Sequence, residues 1–184
     1  MGRTVERAPP LASRVVDVVD RLARARIGST FNQYAGSPLL RERLRAYLEG
    51  RAGAAVVLVG EAAGYRGARI SGIPFTSERQ LSGEGPAEAT ATIVHRTLRE
   101  LGLFDEILLW NVVPTHPGTE RSNRRPTAAE IRAARPFLEE LTRGRTAVAV
   151  GRVAAAALGA PYVRHPSHGG AAAFAAGLRR ALLT

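Results

Sequence analysis

Four short stretches of this 184-residue chain hold residue types that a hydrophobic core does not need. The stretch "VRHPSHGG", Val163 to Gly170, sets two histidines, a proline, a serine and two glycines behind an apolar run. His165, fixed by Pro166, is either bonded to backbone or acts as a donor that stabilises developing negative charge. Asn111 directly follows "LLW". An asparagine that ends a buried strand must be hydrogen-bonded or solvated. It either caps a turn or reads a flat ligand that offers an acceptor beside a donor, as the edge of a pyrimidine does. Phe75 closes "GIPF", Gly72 to Phe75. It is a loop anchor, or a stacking platform for a flat base. "GEAAGY", Gly60 to Tyr65, combines glycines that let backbone approach a ligand with the carboxylate of Glu61. Glu61 reads equally well as an exposed loop residue. The stretch is no phosphate loop, because GxGxxG is absent and a chain without lysine cannot form the lysine-bearing alternative.

These stretches need elements to hold them. Residues 1–12 read as a frayed arm. Residues 13–26 have Val15, Val18, Val19 and Leu22 at helical spacing, with Ser13 as cap. A second helix starts at Ser37–Pro38 and stops at Gly50. "AAVVLVG" is a buried strand, followed by a long glycine-rich stretch from Glu61 to Gly85. Residues 86–101 read as a helix ending at Gly102, and "EILLWNVVP" as a second buried strand. "TAAE" after Pro126 is a capping box for a helix over 127–143. "TAVAVG" is a third strand, "RVAAAALG" a short helix, "PYVRHP" a fourth strand and 170–183 the last helix. Four apolar strands alternating with helices predict a three-layer α/β/α fold around a parallel sheet. Ligands bind such sheets at the carboxyl ends of the strands. The four strand ends carry "GEAAGY", "NVVPTHP", "GR" and "HPSHGG", so unusual residues cluster where the architecture puts a site.

Composition narrows the class. The length suits a single domain with a sizeable core, spanning residues 1–184. No apolar run reaches the ~20 residues of a membrane span. The first twenty residues lack a signal-peptide apolar region, so the expected location is cytoplasmic. The chain has no cysteine, which excludes disulfides, thiolate zinc sites and cysteine-ligated iron–sulfur clusters. The four histidines are scattered, so no metal site is expected. The formal charge is +10, and every basic side chain is arginine. After Glu140 no acidic residue follows, but Arg143, Arg145, Arg152, Arg164, Arg179 and Arg180 do. Such a one-sign field suits a polyanion; a merely solvated basic surface is the even alternative.

Taken in order, "VGEAAG", "GIPF", "LLWNVVPTHP", "NRRPT" and "HPS" resemble the uracil-DNA glycosylase superfamily. They span roughly residues 56–170. The resemblance implies a four-stranded parallel sheet, no cofactor and a monomer that removes uracil from DNA in base-excision repair. It implies that Phe75 stacks on the extruded uracil, that Asn111 bonds its Watson–Crick edge and that His165 donates to O2 as the base leaves. Gly60, Glu61 and Ala62 would line the pocket beside a hydrolytic water. Tyr65 would wall off the C5 position against thymine. Pro166, Ser167, His168, Gly169 and Gly170 would press into the minor groove, and Arg124 of "NRRPT" would contact DNA. The resemblance also shows departures. An aspartate that positions water in the best-known branch is replaced by Ala62, which leaves Glu61 as the nearest substitute. The leucine wedge of that branch is replaced by His168–Gly169–Gly170. These departures sustain an alternative, a catalytically silent binder of uracil-containing or abasic DNA. A third reading is a nucleotide-processing enzyme on a related sheet.

Overall fold

The computed structural model describes residues 11–160 and 162–183. Residues 1–10 of the predicted arm therefore lie outside the described residues, whereas Leu11 and Ala12 already belong to the first helix, α1 (Leu11–Arg24). That helix starts and ends two residues earlier than its apolar spacing suggests.

The sheet is built from continuous apolar runs. Strand β1 (Val56–Ala62) lies at its centre with β3 (Thr146–Val150), and β2 (Ile107–Val113) and β4 (Tyr162–Val163) form the edges. The order is β2-β1-β3-β4, and every pairing is parallel. Seven consecutive residues of β2 are buried, as expected for a strand covered on both faces. The register places Gly60 opposite Asn111 and Val59 opposite both Trp110 and Ala149.

Helices cover the two faces. On one side lie α1, α2 (Pro38–Gly50), α6 (Ala128–Thr142) and α7 (Arg152–Leu158), whose apolar side chains meet Val57, Val59, Leu108 and Trp110. On the other side α5 (Ala89–Glu100) and α8 (Ala171–Leu183) bring Val94, Leu98, Phe174 and Leu178 onto Leu58, Leu109, Val148 and Val150. This alternation follows from the two-residue period of a strand. Caps stop the helices where the sequence signals. The Ser37 hydroxyl accepts from the Leu40 N–H at 3.3 Å, and Thr127 and Glu130 form the capping box of α6.

The stretch between β1 and α5 differs from its expected loop. It contains two short helices, α3 (Ala68–Ser71) and α4 (Glu78–Ser82), each closed by a left-handed glycine. Four or five residues are too few to show a helical period.

Candidate active site

The strand order creates the site. The chain leaves β1 towards the α5 face and leaves β3 towards the α7 face. The two central strands thus part company at their carboxyl ends, and a crevice opens between them. A cleft of about 600 Å³ occupies that place, lined by Glu61–Gly64 after β1, by Val150–Val153 after β3, and by Phe75, Asn111 and His165. A larger cleft of about 900 Å³ lies at the opposite edge of the sheet. Its lining includes Val15, Leu48, Leu108 and Leu141 with the charged Asp17, Glu140, Arg143 and Arg145, and none of the residues that follow the carboxyl ends of the strands.

Asn111 does not end its strand, as the sequence suggests. It is buried inside β2, two residues before the end, because Val112 and Val113 continue the apolar run. Its side chain leaves on the α5 face, beside Gly60. A Cβ built at Gly60 would collide with the Phe75 ring and would lie 2.8 Å from Asn111 Oδ1. Gly60 therefore shapes the cleft by having no side chain, although it does not line it. This is where Phe75 and Asn111 converge.

Phe75 is held under constraint. Its backbone is left-handed, with φ of 53°, a conformation that a bulky residue rarely adopts. The surrounding loop is tied down. Ser71 Oγ donates to Thr76 O at 2.6 Å and accepts from Ile73 N–H at 3.1 Å. The Tyr34 hydroxyl donates to Gly72 O at 2.9 Å. Thr76 Oγ1 donates to Pro74 O, so its contact with His95 Nε2 at 3.1 Å makes it the acceptor there. His95 then carries its proton on Nε2, and its buried Nδ1 is left without a partner. Phe75 is both loop anchor and cleft wall: it packs in the core with Val94 and Leu98 and also faces the cleft.

His165 is oriented by its own turn. Ser167 N–H donates to His165 Nδ1 at 3.2 Å, and Ser167 Oγ lies 2.7 Å from the same nitrogen. A backbone N–H can only donate, so Nδ1 is the acceptor and a neutral ring bears its proton on Nε2. That Nε2–H makes no hydrogen bond to the described residues. Burial, followed by the neighbouring His168 and Arg164, holds the pKa of His165 below its ordinary value. The ring is thus a neutral donor aimed from a residue that lines the cleft. His168 is exposed, with φ of 52°, and its Nδ1 lies 3.1 Å from Ser167 Oγ. Ser167 and His168 line the cleft. Pro166, Gly169 and Gly170 do not; they shape the turn, with Gly170 N–H donating to Ser167 O at 3.1 Å.

Two further expected contacts are placed differently. Tyr65 does not line the cleft. Its N–H donates to Asn123 Oδ1 at 2.9 Å, and its ring lies 5.3 Å from the Arg66 guanidinium. Arg124 reaches the cleft wall, but its guanidinium makes a two-pronged pair with the buried Glu130, at 2.6 and 2.8 Å. That bond, above all, lowers the Glu130 pKa to about 2. An exposed cation at the rim, Arg125, lies close enough to Glu61 to offset part of the burial that raises the Glu61 pKa. Ala62 lines the cleft and brings no acid to it.

Two other cleft residues, Asn123 and Arg125, belong to the "NRRPT" motif but receive no role from it, and Glu88 reads in the sequence only as an acidic helix start. His116 is fully buried, with Nδ1 at 2.7 Å from Ala63 O and Nε2 at 2.7 Å from Thr119 O, which joins the first motif to the loop after β2.

Comparisons with known proteins agree with this geometry. The crystal structure of wild-type Pedobacter heparinus SMUG2 superposes with a TM-score of 0.67 at 13% identity, covering 92% of this chain and 99% of that one. At that identity the likeness shows a shared fold. A search of curated proteins finds no match. The profile of the Uracil DNA glycosylase superfamily matches residues 48–179, which include both central strands, the cleft and the His165 turn. The chain therefore belongs to the uracil DNA glycosylase superfamily.

Proposed function

We propose that the protein hydrolyses the N-glycosidic bond of uracil in DNA and leaves an intact abasic site. The observation that carries this reading is the convergence of Phe75, Asn111 and the Nε2–H of His165 on one cleft at the switch point of the sheet. Each group has a distinct task. A glycosidic carbon is shielded in a duplex, so the nucleotide must be extruded. Phe75 offers a flat apolar wall for the extruded ring. The amide of Asn111 accepts from N3–H and donates to O4. The neutral His165 donates from Nε2 to O2, where negative charge develops as the base departs. A donor of this kind is worth about 3–4 kcal/mol of barrier. Its charge state suits the task, because a pKa below the ordinary value keeps the ring neutral near pH 7 without proton uptake.

The absence of lysine specifies the outcome further. Glycosylases that also cut the backbone attack the sugar with an amine, forming a Schiff base. No lysine side chain is available here, and arginine remains protonated. Water is the expected nucleophile.

A second reading, a silent binder of uracil-containing or abasic DNA, is favoured by Ala62 at the place of the water-positioning aspartate. A labelled oligonucleotide with a single uracil separates the two. The glycosylase reading expects free uracil and a strand that breaks only after alkali or heat. A gel shift with no base released would establish the binder.

A further inference from the structure

The cleft holds a second carboxyl group that the reading above leaves without a task. Glu88 stands at the N-terminal boundary of α5, on the face of the sheet that carries Asn111 and Phe75. Glu61 follows Gly60 in β1, so it leaves the strand on the opposite face, and Arg125 lies near its charge. The two acids are therefore differently placed.

Three observations set Glu88 apart. Its carboxyl rests on backbone at Gly64 and Gly67. A Cβ at Gly64 would collide with one carboxyl oxygen and a Cβ at Gly67 with the other; Cδ would be 2.9 Å from each. Both positions are open to the acid because both are glycine. Next, the side chain makes no cap hydrogen bond to α5, although it occupies the cap position. Finally, it makes no hydrogen bond or ion pair with the described residues, and burial raises its pKa. A half-buried carboxyl without a donor or cation is unfavourable. Serine or threonine would cap the helix better. Neither helix capping nor charge pairing accounts for an acid at this place.

We propose that Glu88 is the general base that takes the proton from the hydrolytic water. This inference rests on the glycosylase reading. In the step, the water oxygen bonds to C1′ while the C1′–N1 bond breaks. The bonding pair leaves with uracil, whose anion is held by His165 Nε2–H. The water proton passes to the Glu88 carboxylate and then to the uracil anion or to solvent. Glu88 supplies the carboxylate that Ala62 cannot. Its raised pKa brings it nearer the working pH, which is where a base is most effective.

The test compares Glu88→Gln, Glu88→Asp and Glu61→Gln with the unaltered chain on uracil-containing DNA under single-turnover conditions. Binding to an oligonucleotide with a stable abasic analogue and the melting temperature are measured alongside. Glutamine keeps the shape of the side chain, so a packing role would survive it. The expected result for Glu88→Gln is a rate lower by about 10²–10⁴-fold, with binding and melting unchanged. Glu88→Asp, which keeps the acid, should lie above Glu88→Gln. An active parent protein with an unimpaired Glu88→Gln variant overturns this inference and leaves the glycosylase reading intact. So does a loss confined to Glu61→Gln, or an Asp variant no faster than the Gln variant. A parent protein that releases no uracil removes the reading and this inference together.

Discussion

Two residues do their work through what they lack or withhold. Gly60 has no side chain, and that vacancy holds the Phe75 ring and the Asn111 amide. Gly60→Ala should displace both. Overpacking of this kind costs about 1–3 kcal/mol, and the misplaced wall should lower uracil release by more than about tenfold. Thermal melting and single-turnover rates check the two parts separately. A variant with parental activity would show that the cleft tolerates the shift. His165 withholds its Nδ1, which Ser167 N–H occupies, and so presents only Nε2–H. Arg124 is a poorer target for testing DNA contacts. Removing it would leave the buried Glu130 carboxylate with only Ser29 Oγ and Thr127 N–H as donors, and the lost stability would mask any binding effect.

At the scale of elements, the loop from Gly72 to Ser77 is the sensitive part. His95 of α5 sits beneath it, buried against Thr76, with its ring 4.7 Å from that of Phe104. Burial, with Arg99 nearby, lowers its pKa to about 4. The unfolded chain therefore takes up a proton that the folded one refuses. Stability should fall as pH drops from about 6.5 to 4, by about 3 kcal/mol in all. His95→Gln should flatten that limb in denaturant titrations at a series of pH values; an unchanged limb would assign it to other groups. Much of this architecture is legible in the sequence. Continuous runs such as "ILLWNVV" announce strands buried on both faces, and "SPLL" and "TAAE" announce helix starts. The two short helices after β1 are not legible, because they complete barely a turn. Phe75, Asn111 and His165 stand out because each is awkward as core. Glu88 does not, since an acid at the start of a helix is ordinary until its surroundings are known.

At the scale of the molecule, the positive charge is less concentrated at the cleft than the acid-free tail suggests. Arg145 is used internally, donating to three backbone carbonyls at 2.9 to 3.0 Å, and Arg143 lies at the opposite edge of the sheet. Arg125 and Arg152 are exposed at the cleft, and Arg164 is exposed beside His165. Three phosphate contacts predict a slope of roughly −3 in log affinity against log salt, by counterion release. Arg152→Ala should reduce that slope by about one. A flat profile would mean that the charge is compositional.

The central claim is that His165 and Asn111 meet a uracil in one cleft and release it. It is tested most directly by the single-turnover rate of uracil release for His165→Ala and Asn111→Ala beside the parent protein, on the same uracil-containing oligonucleotide and with melting temperatures matched. The account predicts a rate lower by about 10²–10³-fold for each variant while the fold persists. Two folded variants that both keep nearly the parental rate would contradict it.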